Sequence, residues 1–158
     1  MSFVMAPTDE DFIHQAPRRV GLSVHVAQPA HVVWDDLVAD DPMSYCRIIS
    51  RIDWTSSRPF SAGTTRTVRV LGGLFVFDES YVRWEDERRK VFVGVRSNLP
   101  LTRRFAEDYL VEPLGDDRCR FTWTAVWEPT ALGRPLEPVT HALFSSLVPD
   151  IRRHFAAF

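Results

Sequence analysis

Charged side chains that fall within apolar strand patterns are the residues of this sequence with the clearest potential for chemistry. Glu107 has the two-residue spacing of Phe105 and Tyr109, so the three side chains share one face of a predicted strand. Glu79 shares a face with Tyr81 in the same way. A carboxylate inside an apolar interior must be paired or have a shifted pKa, and that cost is a reason to suspect function. The polar candidates are Arg66, Glu79 and Glu107.

A second interpretation of these charges is a solvent-facing side chain or a cross-strand ion pair. For Glu79 the pattern of its strand does not distinguish an inward carboxylate from a solvent-facing one, because both faces of the strand carry apolar groups. Phe77 and Tyr81 accompany Glu79 on one face, whereas Val82 and Trp84 lie on the other. The sequence leaves the orientation of this strand open.

Metal chemistry and nucleophilic catalysis find little support in the sequence. The five histidines have no acidic or cysteine partner at metal-ligand spacing, so no metal is expected. Cys46 and Cys119 lie far apart, and neither has a neighbour that would activate a thiolate. No phosphate-binding or dinucleotide fingerprint occurs, and Gly72-Gly73 is typical of a hairpin turn. No cofactor and no catalytic residue are therefore assigned.

Composition favours a single domain that binds neither nucleic acid nor the membrane interior. The chain has 158 residues, a formal charge of −2 and a single lysine, Lys90. A net charge this small does not produce an electrostatic field that would attract nucleic acid. No apolar run reaches the ~18 residues of a membrane span. The first 19 residues have no basic start followed by an apolar stretch, so they are not a signal peptide. We expect a cytoplasmic protein with free thiols.

The first part of the chain predicts a tail, a strand and two short helices. Residues 1–19 lack a period and are expected to form a flexible or loosely docked tail, with the folded domain over residues 20–158. Alternating apolar residues over 20–26 predict a strand. A helix follows Pro29, and residues 43–48 predict a second short helix or turn.

The remainder predicts six more strands and one long helix. Turn residues separate strands over residues 49–56, 64–71, 74–85, 91–97, 103–112 and 118–128, which gives seven strands in all. After residue 136 the apolar period changes to three or four, which indicates an amphipathic helix to the end of the chain. Pro149 falls inside it, so we expect a kink or break about one turn earlier.

This order of elements resembles the START-like, helix-grip (SRPBCC, Bet v1-like) superfamily, and within it the polyketide cyclase/dehydrase and lipid-transport branch. The resemblance covers residue 20 to the end. It lies in residues 24–30 running into 33–37, the loop at Gly63, residues 79–84 before the turn at 86–89, and the aliphatic–aromatic last helix. It implies an α+β fold in which a seven-stranded curved antiparallel sheet wraps around a long C-terminal helix, with two short helices after the first strand. It also implies a cavity for lipids, polyketides, sterols or similar molecules.

Within such a cavity, aromatic residues would form walls and a few polar groups would orient the ligand. The competing interpretation is that most of these aromatic side chains pack in the core. The candidate ligand-binding residues are Trp54, Arg66, Glu79, Tyr81, Glu107, Tyr109, Trp123, Trp127 and Phe144.

Three function classes stay open for a protein that is expected to be a monomer or homodimer. The first is binding or transport of a hydrophobic small molecule. The second is a cyclase or dehydrase, in which Glu79 or Glu107 moves protons and Arg66 holds an enolate oxygen. The third is a protein-interaction module with a vestigial cavity.

Overall fold

The fold is a curved antiparallel sheet that half-encloses one long helix, as a computed structural model of residues 1–158 shows. Seven strands follow the spatial order β2-β8-β7-β6-β5-β4-β3, and every neighbouring pair is antiparallel. The predicted α+β helix-grip fold is confirmed. The strands are β2 (Arg18–Val26), β3 (Ile49–Trp54), β4 (Thr65–Val70), β5 (Phe75–Glu85), β6 (Arg89–Ser97), β7 (Thr102–Pro113) and β8 (Cys119–Pro129).

The helix α3 (Glu137–Ala156) lies on the concave face of the sheet and closes the core. Leu147, Ile151 and Phe155 of α3 are at most 5% exposed. Burial of each such side chain stabilises the fold by roughly 1.5–3 kcal/mol. Phe121 on β8 meets Phe155 with ring centroids 4.9 Å apart. The helix is thus fixed mainly through its C-terminal half.

Strand β5 changes phase along its length, which explains why its sequence gave no clear face. Its pairing with β6 shifts register between Asp78 and Glu79 and again between Tyr81 and Arg83. Glu79 and Tyr81 point into the core before the second shift. Beyond it, Trp84 also points inward, 4.9 Å from the Tyr81 ring. Both predicted faces therefore contribute inward side chains.

The N-terminal segment lies against the sheet. Strand β1 (Phe3–Val4) pairs with the end of β6, and Met5 fills the space left open by Gly94, where a Cβ atom would lie too close to the Met5 sulfur. The short helix α1 (Phe12–Gln15) packs Phe12 and Ile13 on the convex face, over Val91, Val93, Ala106 and Val126. Residues 1–19 thus contact the sheet through buried side chains at two places, Met5 beside Gly94 and the α1 residues Phe12 and Ile13.

Some predicted details differ from the structure. The expected fold has two short helices after the first strand, whereas a single helix, α2 (Ala30–Leu37), separates β2 and β3. Residues 43–48 form turns, which is the second of the two forms expected for them. The β4–β5 connection spans residues 71–74 with Leu71 at φ 50°, so it is longer than a two-residue hairpin. Helix α3 continues through Pro149 without the predicted break. No helix of the chain is long and apolar enough to cross a membrane.

Candidate functional site

A narrow apolar cavity lies between α3 and the strands β3 to β7. Its volume is about 70 Å³, and 12 of its 18 lining residues are hydrophobic. The hydrophobic lining residues are Ile48, Ile49, Val68, Val70, Phe75, Phe77, Leu99, Leu101, Phe105, Leu143, Phe144 and Leu147. The polar lining residues are Glu79, Ser97, Asn98, Thr102, Glu107 and Thr140.

The periods of the surrounding elements explain which side chains reach this cavity. Helix α3 contributes Thr140, Leu143, Phe144 and Leu147, whose spacing of three and four residues places them along one helical face. On the sheet side, alternate residues of β4 and β5 face the cavity because strand side chains have a period of two. The β6–β7 loop closes one end through residues 97–102.

A buried ion pair lies at the wall formed by β4 and β5. Arg66 Nε donates to Glu79 Oε2 at 2.7 Å, and the two side chains are 2% and 3% exposed. The Arg66 guanidinium also lies 4.2 Å above the centre of the Phe92 ring, within cation–π range. Burial raises the pKa of Glu79 to about 7, although the Arg66 charge opposes that change.

Glu107 is the second buried carboxylate of the site. Its Oε2 atom accepts two hydrogen bonds, from Trp123 Nε1 and from the Tyr109 hydroxyl, each at 2.8 Å. Burial raises the pKa of Glu107, and the hydrogen bond from Trp123 opposes that rise. Two neutral donors therefore hold a carboxylate that has no direct salt bridge.

Lys90 is a buried basic residue that is not among the candidates selected from the sequence. It is 0% exposed, and its ammonium group donates to the Leu37 carbonyl oxygen. Its nitrogen lies 4.9 Å from the centre of the Tyr109 ring, among further rings at 5.7–6.0 Å that belong to Trp34, Trp54, Tyr81 and Trp84. Desolvation holds the pKa of Lys90 well below its ordinary value. Its spacing of two residues from Phe92 is the signal that indicates an inward position.

Of the nine candidate ligand-binding residues, Glu79, Glu107 and Phe144 line the cavity. Phe144 stacks on Trp127, with ring centroids 4.6 Å apart, so Trp127 supports the wall from behind. Arg66, Tyr109 and Trp123 touch the lining carboxylates without lining the cavity themselves.

The two remaining candidates do not line the cavity, although the Arg66 guanidinium lies 5.7 Å from the centre of the Trp54 ring and 5.5 Å from that of Tyr81. Trp54 donates from its Nε1 to the Ala39 carbonyl oxygen at 2.9 Å and stacks on Phe60. Tyr81 is 1% exposed, and its hydroxyl has no hydrogen-bond partner.

The candidate residues selected from the sequence include none of the aliphatic side chains that line the cavity. Leu143 and Leu147 belong to the predicted apolar stripe of the last helix, which is a usable signal. Leu99 and Leu101 lie in a loop, where no period marks a side chain as inward. The structure contains no group of three or more His, Cys, Asp or Glu side chains that could hold a metal ion.

Comparison with known proteins agrees with this architecture. Residues 17–156 match the family described as polyketide cyclase / dehydrase and lipid transport. The uncharacterised protein Rv2574 of Mycobacterium tuberculosis is 33% identical over 124 residues, which are 74% of this chain and 73% of that protein.

Two solved structures show a similar fold. A START superfamily protein from Mycobacterium smegmatis has a TM-score of 0.65 at 14% identity, over 88% of this chain and 97% of that one. The Zhui aromatase/cyclase from Streptomyces sp. R1128 has a TM-score of 0.61 at 17% identity, over 89% and 97% of the two chains.

Proposed function

Because the chain belongs to the polyketide cyclase/dehydrase and lipid-transport family, we propose that it binds a hydrophobic small molecule in the cavity beneath α3. The observation that carries this proposal is the lining, in which 12 of 18 residues are hydrophobic. Apolar pockets with a few convergent polar groups are the usual form of small-molecule sites. Glu79 and Glu107 supply such polar groups at the cavity wall.

Ligand entry requires the cavity to widen. Its volume of about 70 Å³ is well below the roughly 300–1,000 Å³ of typical ligand pockets. The second half of α3 is fixed, because Asp150 binds Arg47 at 3.0 Å and His154 meets Asp36 at 3.1 Å. None of residues 137–146 is fully buried, although Glu137 binds Arg18 at 3.1 Å and Trp127 at 3.2 Å, and Phe144 stacks on Trp127. The first half of α3 is therefore the part that moves.

Pro149 places a weak point between the two halves of α3. Proline has no backbone N–H, so the Ser145 carbonyl loses its helical donor. The cavity-lining residues Thr140, Leu143 and Phe144 precede this point, whereas the buried Asp150 follows it. In our proposal the first half of the helix swings about residues 145–149 to admit and release the ligand.

A second candidate function is proton-transfer catalysis on the bound molecule, of the cyclase or dehydrase kind. The observation that favours it is Glu79, which lines the cavity and has a pKa raised by burial to about 7. A general acid or base works best when its pKa is close to the working pH. Arg66 does not line the cavity, so its part in this function would be to position Glu79.

Native mass spectrometry with lipid extraction, on protein purified without added ligand, tests the binding proposal. We expect a co-purifying apolar molecule at about one per chain, and its identity gives the substrate class. The variant Leu143→Trp fills the cavity and is expected to abolish this occupancy. Val139→Trp is the matched control, because Val139 lies on the same helix but is 54% exposed and does not line the cavity.

The two variants separate the outcomes. If Leu143→Trp keeps its circular dichroism spectrum and loses the ligand, and Val139→Trp retains it, the cavity is the binding site. An empty wild-type protein that also refuses fatty acids, sterols and aromatic polyketides would refute the proposal. Conversion of a bound polyketide into a new product would establish the catalytic function instead.

A further inference from the structure

The ionisable groups that line the cavity are acidic without exception. Glu79 and Glu107 belong to the lining, whereas no Lys, Arg or His side chain does. The two carboxylates are 3% and 6% exposed, so water solvates them poorly. A buried charge in an apolar wall depends strongly on the partners that the site provides.

Each of these carboxylates has one oxygen that no protein group satisfies. Glu79 Oε2 accepts the Arg66 hydrogen bond, and Glu107 Oε2 accepts those of Trp123 and Tyr109. The Oε1 atoms accept no hydrogen bond from the protein, although both residues line the cavity. When both side chains are ionised, the cavity therefore offers two acceptor atoms without donors.

The donors near the cavity are mostly occupied. Ser97 donates to the Leu99 carbonyl oxygen at 2.6 Å, and Thr140 donates to the Leu136 carbonyl oxygen at 3.4 Å. The Asn98 amide donates to the Leu74 carbonyl oxygen at 2.9 Å. Thr102 is the lining residue whose hydroxyl makes no hydrogen bond within the protein. An anionic ligand group would meet two carboxylates, and the free side-chain donors are the Thr102 hydroxyl and one N–H of the Asn98 amide.

Lys90 does not supply a donor or a positive charge at the cavity surface. Its Nζ atom donates to the Leu37 carbonyl oxygen and is enclosed by aromatic rings, and Lys90 does not line the cavity. Arg66 is bound to Glu79 and lies against Phe92. Arg66 thus offsets part of the negative charge from behind the wall, and neither of these basic side chains lines the cavity.

We propose that the ligand enters with a group that donates hydrogen bonds, a hydroxyl or a protonated amine, and that the cavity rejects carboxylate and phosphate groups. This inference rests on the proposed binding function and specifies its substrate class. A donor group satisfies the open oxygens of Glu79 and Glu107, and a protonated amine also adds the missing positive charge. A carboxylate beside them brings like charges together in a poorly solvated space.

A matched series of small ligands tests this specificity: 3-phenylpropylamine, 3-phenylpropan-1-ol and 3-phenylpropanoate, titrated at about pH 8.5, where Glu79 is ionised, and followed by NMR. The apolar part is constant, so the head group alone changes. We expect the amine and the alcohol to bind at least tenfold more tightly than the carboxylate. The shifted resonances are expected to include the backbone amides of Glu79 and Glu107.

Glu107→Gln removes one charge from the wall and keeps an oxygen that accepts from Trp123 and Tyr109. We expect this variant to reduce the preference for the amine over the carboxylate about tenfold. Glu79→Gln serves as a second, independent variant if Glu107→Gln fails to fold. Glu112→Gln is the control, because Glu112 is also on β7 but its side chain is 45% exposed.

The outcomes distinguish this inference from the proposed function. A carboxylate that binds as tightly as the amine and the alcohol overturns the inference and leaves the binding function in place. An unchanged preference in Glu107→Gln and Glu79→Gln also overturns it. Failure of all three ligands to bind overturns the proposed function, and the inference with it.

Discussion

Glu79→Gln is expected to change how the stability of this protein depends on pH. Burial raises the pKa of Glu79 from 4.5 to about 7, against the opposing charge of Arg66. The folded protein therefore binds this proton more tightly than the unfolded chain does. On account of Glu79, stability is highest below pH 4.5 and falls as the pH rises towards 7, above which the loss is complete.

The size of the effect follows from the two pKa values. Each pH unit between them is worth about 1.4 kcal/mol, so the interval from 4.5 to about 7 corresponds to about 3 kcal/mol. Glutamine has nearly the same shape as glutamic acid and stays neutral at every pH. The free energy of unfolding of Glu79→Gln, measured relative to wild type, should therefore rise by about 3 kcal/mol over this range.

Urea denaturation at several pH values between 4.5 and 7.5 measures the difference. The five tryptophans provide a fluorescence signal, and the slope of unfolding free energy against urea concentration checks that both proteins unfold alike. Comparing each variant with wild type at the same pH cancels the contribution of the other titrating groups. Glu112→Gln, whose side chain is 45% exposed, should run parallel to wild type.

The opposite sign would refute the reasoning. If Glu79→Gln loses stability relative to wild type as the pH rises, the attraction between Arg66 and ionised Glu79 outweighs the cost of burying them. Loss of one partner of a buried ion pair commonly costs about 3–5 kcal/mol, so this outcome would be large enough to measure. It would also remove the basis for proton transfer by Glu79 near pH 7.

Two further substitutions test the groups that hold the helix and the aromatic core. Asp150→Asn weakens the acceptor of the Arg47 amide and guanidinium hydrogen bonds, at 2.9 Å and 3.0 Å. It should lower the free energy of unfolding by about 1–3 kcal/mol and speed hydrogen exchange in residues 43–48. Lys90→Met replaces a fully buried amine with an apolar side chain of similar length, so the Tm should stay unchanged or rise.

Each of these expectations has a contrary outcome. Asp40→Asn, whose side chain is 94% exposed, is the control for Asp150→Asn, and equal effects of the two would show that Asp150 does not hold the turn segment. For Lys90→Met, a fall in Tm of about 5 °C or more would show that the hydrogen bond to Leu37 stabilises the fold by more than burial of the amine costs it.

The strand and helix pattern could be predicted from the sequence because burial acts on each element separately. Cys119, Phe121, Trp123, Ala125 and Trp127 alternate in the sequence, and all five side chains are buried. The same holds for Phe105, Glu107, Tyr109 and Val111 on β7. When one face of a regular strand is buried, apolar residues recur at every second position of its sequence. This pattern can be recognised without knowing which strands lie beside it.

The candidate site depended on features that no local period records. The phase changes of β5 bring both Tyr81 and Trp84 inward, and the alternation of a single strand cannot show a change of register. Arg66 meets Glu79 because β4 and β5 place them directly opposite each other. Most of the candidate aromatic residues lie behind the cavity wall, since core packing and ligand contact require the same residue types.

The sequence by itself determined the buried face of regular strands such as β7 and β8, and it identified Glu79 and Glu107 as candidates for inward carboxylates. Only the tertiary structure decided that both carboxylates border one cavity, and that the basic side chains of Arg66 and Lys90 do not line it. The physical reason is that burial follows from the local pattern of apolar residues. Which side chains line the cavity depends on how α3, the bulged strand β5 and the β6–β7 loop are arranged relative to one another.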